Sequence, residues 1–105
     1  MDGVFYGKGI NALKKNNKEL YTSICRLDES VWDEGPLSRK DKKLIAIAIT
    51  ASKLNKSGFE KQVRSSKIKL GISREEVMDV LKVVLLTSGM PAFNMGLEIL
   101  NKIYD

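Results

Sequence analysis

The sequence predicts an all-α domain of five to six helices, and three observations predict it. Apolar residues recur at helical spacing through every long segment. Serine, asparagine, glycine and proline stand where helices start and stop. Neither an Asn-Gly hairpin nor a clean period-two stretch is present. The stretch from Ser38 to Gly71 is the expected centre, an antiparallel helical hairpin. Its first half, Leu44-Ile45-Ala46-Ile47-Ala48-Ile49-Thr50-Ala51, is apolar on nearly every side and belongs in a core. The alanines favour a helix over a buried strand. Ser38, with Asp41 in the first turn, reads as its start, and no turn residue follows before Asn55.

In chain order, residues 1–9 carry three glycines and read as a flexible lead-in. Leu13, Leu20, Ile24 and Leu27 then fall at helical spacing, interrupted around Asn16-Asn17. That is one helix or two pieces, ending before Asp28. A turn-bearing connection follows, in which Trp32 is expected to plug the gap between the first helix and the central pair. The second half of the hairpin opens at Ser57, with Glu60 placed for a reciprocal capping box, and stops at Gly71, the left-handed closing residue. Ser73-Arg74-Glu75-Glu76 is a second capping box. It starts a helix rich in Val77, Val80, Leu81, Val83, Val84, Leu85 and Leu86. Gly89-Met90-Pro91 ends that helix and launches the last one. There Phe93, Leu97, Leu100 and Tyr104 share a face, beside a smaller-residue face of Ala92, Gly96 and Ile99 suited to close packing. At 105 residues the chain is expected to form a single domain, 1–105. Its two most apolar rods, at 38–54 and 73–88, offer more apolar surface than the remaining helices cover, so another copy of the chain is expected to bury part of it.

Composition narrows the chemistry. There is no histidine and one cysteine, Cys25. These counts exclude Ser-His-Asp and Cys-His nucleophile systems, imidazole or cysteine-cluster metal sites, and an intramolecular disulfide. No metal or cofactor is expected. The net charge of +5 and a pI near 9.4 favour anionic partners. Only Arg26, Arg39, Arg64 and Arg74 could form guanidinium forks, so nucleic-acid binding is not expected. No apolar run is long enough to span a bilayer and the start lacks a signal pattern, so the expected location is the cytoplasm.

The chain resembles the carboxymuconolactone decarboxylase family, which includes the alkylhydroperoxidase D-like proteins. The resemblance covers roughly residues 35–104. It is carried by Leu37-Ser38-Arg39-Lys40-Asp41, by Val63-Arg64, by Leu70-Gly71-Ile72-Ser73-Arg74-Glu75-Glu76-Val77 and by Ser88-Gly89-Met90-Pro91-Ala92. It implies an all-α alkylhydroperoxidase D-like fold and assembly as a trimer or a hexamer of paired subunits. Its peroxidase branch uses two cysteines three apart at a helix start, with a histidine on the next turn and a glutamate on the preceding helix. Carried onto this chain through Val63-Arg64, the cysteine positions fall at Asn55 and Gly58, the histidine at Lys61 or Gln62, and the glutamate at Lys43. None of the reacting groups is present. The resemblance thus implies an antioxidant, peroxide- or oxygen-detoxifying oxidoreductase, or a lactone-decarboxylating enzyme, with an altered or lost site.

Three residual chemistries remain. Cys25, with Arg26 beside it and Lys18 two turns back, could be a lone peroxidatic thiol or a packed apolar cysteine. Lys43, Lys56, Ser57, Gly58 and Lys61 could hold a small carboxylate at the helical joint, and Lys43 or Glu60 could then serve as base or acid. The alternative is a non-catalytic oligomeric module. Lys61, Arg64 and Lys67, with Lys69 nearby, form a basic stripe that reads foremost as a solvated helix face.

Overall fold

Six helices run through residues 8–104, the part of the chain that the computed structural model describes. They are α1 Lys8–Asn16, α2 Lys18–Trp32, α3 Arg39–Ser52, α4 Lys56–Leu70, α5 Arg74–Ser88 and α6 Met90–Ile103. No strand occurs among the described residues, and none of these helices is long and apolar enough to cross a membrane. Most of the expected lead-in, residues 1–7, lies outside the described part, whereas Lys8 and Gly9 already belong to α1. The chain divides into two compact units, residues 1–39 and 40–105.

In the first unit, α1 and α2 pack on each other. Asn17 separates them, its Oδ1 accepting the Leu20 N–H at 3.1 Å, an asparagine N-cap at the predicted break. α2 does not stop before Asp28 as the sequence suggested. The carboxylate of buried Asp28 accepts the Trp32 indole N–H at 2.9 Å. An acid that would otherwise favour a turn is thereby occupied within the helix, which continues one more turn. Leu20, Leu27 and Val31, along one stripe of α2, stay exposed.

In the second unit, the helix that gives most to the core is α6, through Ala92, Met95, Gly96, Ile99, Leu100 and Ile103. It packs on both α4 and α5. Its small-residue face is buried together with Leu100 of the other predicted face, while Phe93, Leu97 and Tyr104 pack at the core edge. Gly96 is the contact point, since a β-carbon there would lie 2.6 Å from a Leu81 methyl and 3.3 Å from the Phe59 ring. α3 and α5 run side by side in the same direction. The Lys40 ammonium pairs with Glu76 near one end, and Ser88 Oγ donates to Ser52 Oγ at 2.8 Å at the other. The Ser73–Glu76 capping box forms as predicted: the Ser73 N–H donates to Glu76 Oε1 at 3.0 Å and Glu76 N–H to Ser73 Oγ at 3.1 Å. Gly71 takes the left-handed conformation, φ 63°.

Two buried hydroxyls, those of Ser65 and Ser66, work against stability. Ser66 is fully buried and its hydroxyl has no hydrogen-bond partner within the protein. Replacing it with alanine is expected to stabilise the fold by about 1 kcal/mol in a urea titration, because desolvation of an unpaired hydroxyl is relieved.

Glu76 and Tyr104 each give this unit a pH dependence. The hydrogen bond from Lys40, then that from the Ser73 backbone, hold the Glu76 carboxyl below its ordinary 4.5. Its contribution is therefore complete above that value and lost as pH falls through the lower folded one. Burial, and then the charges of Glu76 and Glu75, raise the Tyr104 phenol above 10.0, and its O–H donates to the Ile72 carbonyl. That contribution is present below pH 10 and lost as pH rises past the folded value. Thermal melts across pH should show both edges, and Tyr104→Phe should remove the Tyr104 component of the alkaline one.

Candidate functional site

The joint between α3 and α4 is closed by backbone geometry. Leu54 adopts φ 56°, the only described non-glycine residue with positive φ. Its N–H reaches the Ala51 carbonyl at 3.0 Å, and the Asn55 N–H reaches Thr50 at 2.9 Å. This is the double bond pattern that ends a helix in a left-handed residue. A leucine there carries the steric cost of its β-carbon. Leu54→Gly is expected to raise stability by about 0.5–1 kcal/mol in chemical denaturation.

α4 begins at Lys56, not Ser57, and its cap is Asn55. The Asn55 Oδ1 accepts the Gly58 N–H at 2.9 Å and the Ser57 hydroxyl at 3.4 Å. The expected Ser57–Glu60 capping box does not form, because Asn55 reaches the free amides first. Glu60 instead pairs with Arg64 at 2.9 Å and Lys102 at 3.9 Å. The Arg64 hydrogen bond, and then the nearby cationic charges, lower its pKa. Glu60 is thus held ionised, which suits an acceptor better than a proton donor. Asn55 and Gly58, the positions of the cysteine pair in the resemblance, fit each other. A β-carbon on Gly58 would come within 2.5 Å of the Asn55 amide. Glycine leaves room for the asparagine cap, and the cap occupies the helix start.

About two turns from the joint lies the polar centre of the hairpin. Lys43 of α3 and Gln62 of α4 are both buried, and the Lys43 Nζ donates to Gln62 Oε1 at 3.3 Å. In the resemblance these two stand at the positions of the glutamate and one candidate for the histidine of a proton relay, and the fold brings them together. In place of an acid and an imidazole stand a primary amine and a carboxamide. Lys61, the other histidine candidate, is half-buried, and burial lowers its pKa. Lys56 and Ser57 are exposed at the first turn of α4.

The remaining sequence candidates have surroundings of their own. Cys25 is half-buried on α2. Its near neighbour is Tyr21, whose phenol is raised above 10.0 by desolvation and then by a hydrogen bond with the Cys25 thiol. The basic stripe on α4 is engaged in holding the fold. Arg64 binds Glu60, and Lys67 donates to the Ile103 carbonyl at 2.8 Å while lying 4.8 Å from the Tyr104 ring centre. Among the described residues, no three His, Cys, Asp or Glu side chains cluster to hold a metal. Two features escaped the sequence reading, the Asp28–Trp32 bond and the Asn55 cap. Asparagine before a helix was a usable signal for the second.

Comparison with known proteins places this architecture. The profile of the Carboxymuconolactone decarboxylase family matches residues 18–102, so the match begins in α2, upstream of the resemblance read from the sequence. The uncharacterized protein MJ0742 of Methanocaldococcus jannaschii is 46% identical over 100 residues, spanning 95% of this chain and 96% of that one. A second uncharacterized protein of that organism, MJ1511, is 30% identical over 89 residues, 85% of this chain and 82% of its own. Among solved structures, apo-lpg0406, a carboxymuconolactone decarboxylase family protein from Legionella pneumophila, superposes with a TM-score of 0.75 at 25% identity, over 92% of this chain and 88% of that one. The chain belongs to the carboxymuconolactone decarboxylase family.

Proposed function

We propose that this protein binds a small carboxylate at the α3–α4 hairpin and does not run a dithiol peroxidase cycle. The observation that carries the reading is the buried Lys43–Gln62 pair. A buried amine supplies a hydrogen-bonding anchor, an adjacent carboxamide can orient a carboxylate or lactone carbonyl, and Lys61 adds a partly desolvated amine on the helix that carries Gln62. Asn55 and Gly58 offer no electron pair that could reduce a peroxide and no thiol that could resolve one. The cap at Asn55 also takes the Gly58 N–H, so the anchor is the lysine centre and not the helix start. Calorimetry with a panel of small carboxylic and lactone acids should give heat for the wild type and none for Lys43→Met. Absence of heat for the wild type at millimolar ligand would refute the proposal.

A second reading keeps the protein on the peroxide-detoxifying side through Cys25. What supports it is the Tyr21 phenol, one helical turn back and hydrogen-bonded with the Cys25 thiol. Dilute peroxide should then convert Cys25 to an oxidised form visible by mass spectrometry. A thiol that survives the treatment ends this reading.

A further inference from the structure

Four helix termini meet at one end of the second unit: the ends of α3 and α5 and the starts of α4 and α6. The 2.8 Å bond from Ser88 Oγ to Ser52 Oγ holds the two joints beside each other. Large apolar side chains stand out from this end. Leu54 in the first joint is 53% exposed, Met90 in the second is 61% exposed, and Leu86 in the last turn of α5 is 87% exposed. Leu54 is costly twice over. It holds φ 56°, where glycine would sit without strain, and it keeps an isobutyl group half in water. A leucine retained on those terms is explained by a contact outside the chain.

The charge around these side chains has one sign. Lys53 and Lys56 flank Leu54, and both are exposed. No aspartate or glutamate occurs between Asp41 and Glu60 or between Asp79 and Glu98, the two spans whose joints form this end. A two-fold contact through this end would therefore set lysines against lysines. A partner helix would need a groove to lie in, whereas Leu54, Leu86 and Met90 are separate points. Apolar points with ammonium groups beside them suit a layered surface, oily inside and anionic outside. We propose that this end docks on an anionic lipid surface. Leu54, Leu86 and Met90 enter the boundary between headgroups and acyl chains, while Lys53 and Lys56 stay among the headgroups. The chain then lies on the bilayer, which none of its described helices is long and apolar enough to cross. The inference is independent of what the hairpin centre binds.

Co-sedimentation with vesicles of phosphatidylglycerol and phosphatidylcholine, against phosphatidylcholine alone, tests it, with circular dichroism as the folding control. The wild type should pellet with the mixed vesicles and not with the neutral ones, and less so as salt is raised. Leu54→Gly, the variant expected above to be more stable than the wild type, should bind about tenfold more weakly. Lys53→Glu with Lys56→Glu should lose about tenfold or more. Lys15→Glu with Lys18→Glu, the same change of charge at exposed positions in the first unit, should bind as the wild type does. A wild type that stays in the supernatant at low salt would overturn the proposal. So would Leu54→Gly binding as tightly as the wild type, or a loss in the Lys15 and Lys18 variant equal to that in the Lys53 and Lys56 variant, since either reduces the effect to the overall charge. Capture by an immobilised helical peptide of leucine and glutamate, without vesicle binding, would assign this end to an acidic protein instead and overturn it too.

Discussion

Gly96→Ala is expected to cost about 1–3 kcal/mol of stability in a denaturant titration, although it adds one methyl group and improves helix propensity. The added carbon would sit 2.6 Å from a Leu81 methyl and 3.3 Å from the Phe59 ring, and both residues are fully buried. Overpacking therefore outweighs the gain of up to about 1 kcal/mol that alanine brings over glycine in a helix. Leu81→Ala alone should cost about 2–5 kcal/mol by opening a cavity. The double variant should cost less than the two singles added together, because the new methyl partly fills the space the leucine vacates. Strict additivity would mean that α6 does not approach α5 at Gly96.

Gln62→Leu is expected to cost about 1–3 kcal/mol, because it removes a buried acceptor of the Lys43 amine. The paired change, Lys43→Met with Gln62→Leu, should recover most of this loss, since replacing both partners with apolar groups of similar size removes the desolvation problem. If Gln62→Leu were as stable as the wild type, the pair would not be a buried interaction. The contrast also separates stability from function: the paired variant should fold well and bind no carboxylate.

Much of this was legible because it rests on local rules. The Ser73–Glu76 box, the left-handed Gly71, the proline early in α6 and the break before α2 each follow from residues within four positions of one another. The Ala92–Gly96–Ile99 face was legible as close-packing, and it is buried in the core. Two readings failed for one reason, competition between equally local options. Asn55 and Ser57 could both start α4, and Asn55 won because its side chain reaches the Gly58 amide while glycine leaves it room. Asp28 looked like a helix end, but its carboxylate met the Trp32 indole one turn on. The Lys43–Gln62 bond spans 19 positions, and no spacing rule reaches that far. Only the resemblance set both residues among the site positions, and it left Lys61 and Gln62 as equals. Of the two, Gln62 is the one that the fold buries and bonds to Lys43.

The account depends most on Lys43 being the anchor of the hairpin site. Its amine can be observed directly by nitrogen-detected magnetic resonance on lysine-labelled protein, with a small carboxylate titrated in. The account predicts a lysine amine signal shielded from solvent exchange that is absent in Lys43→Met, altered in Gln62→Leu, and displaced as carboxylate is added. Lysine signals that all exchange freely, or a shielded one that ignores saturating carboxylate, would contradict it.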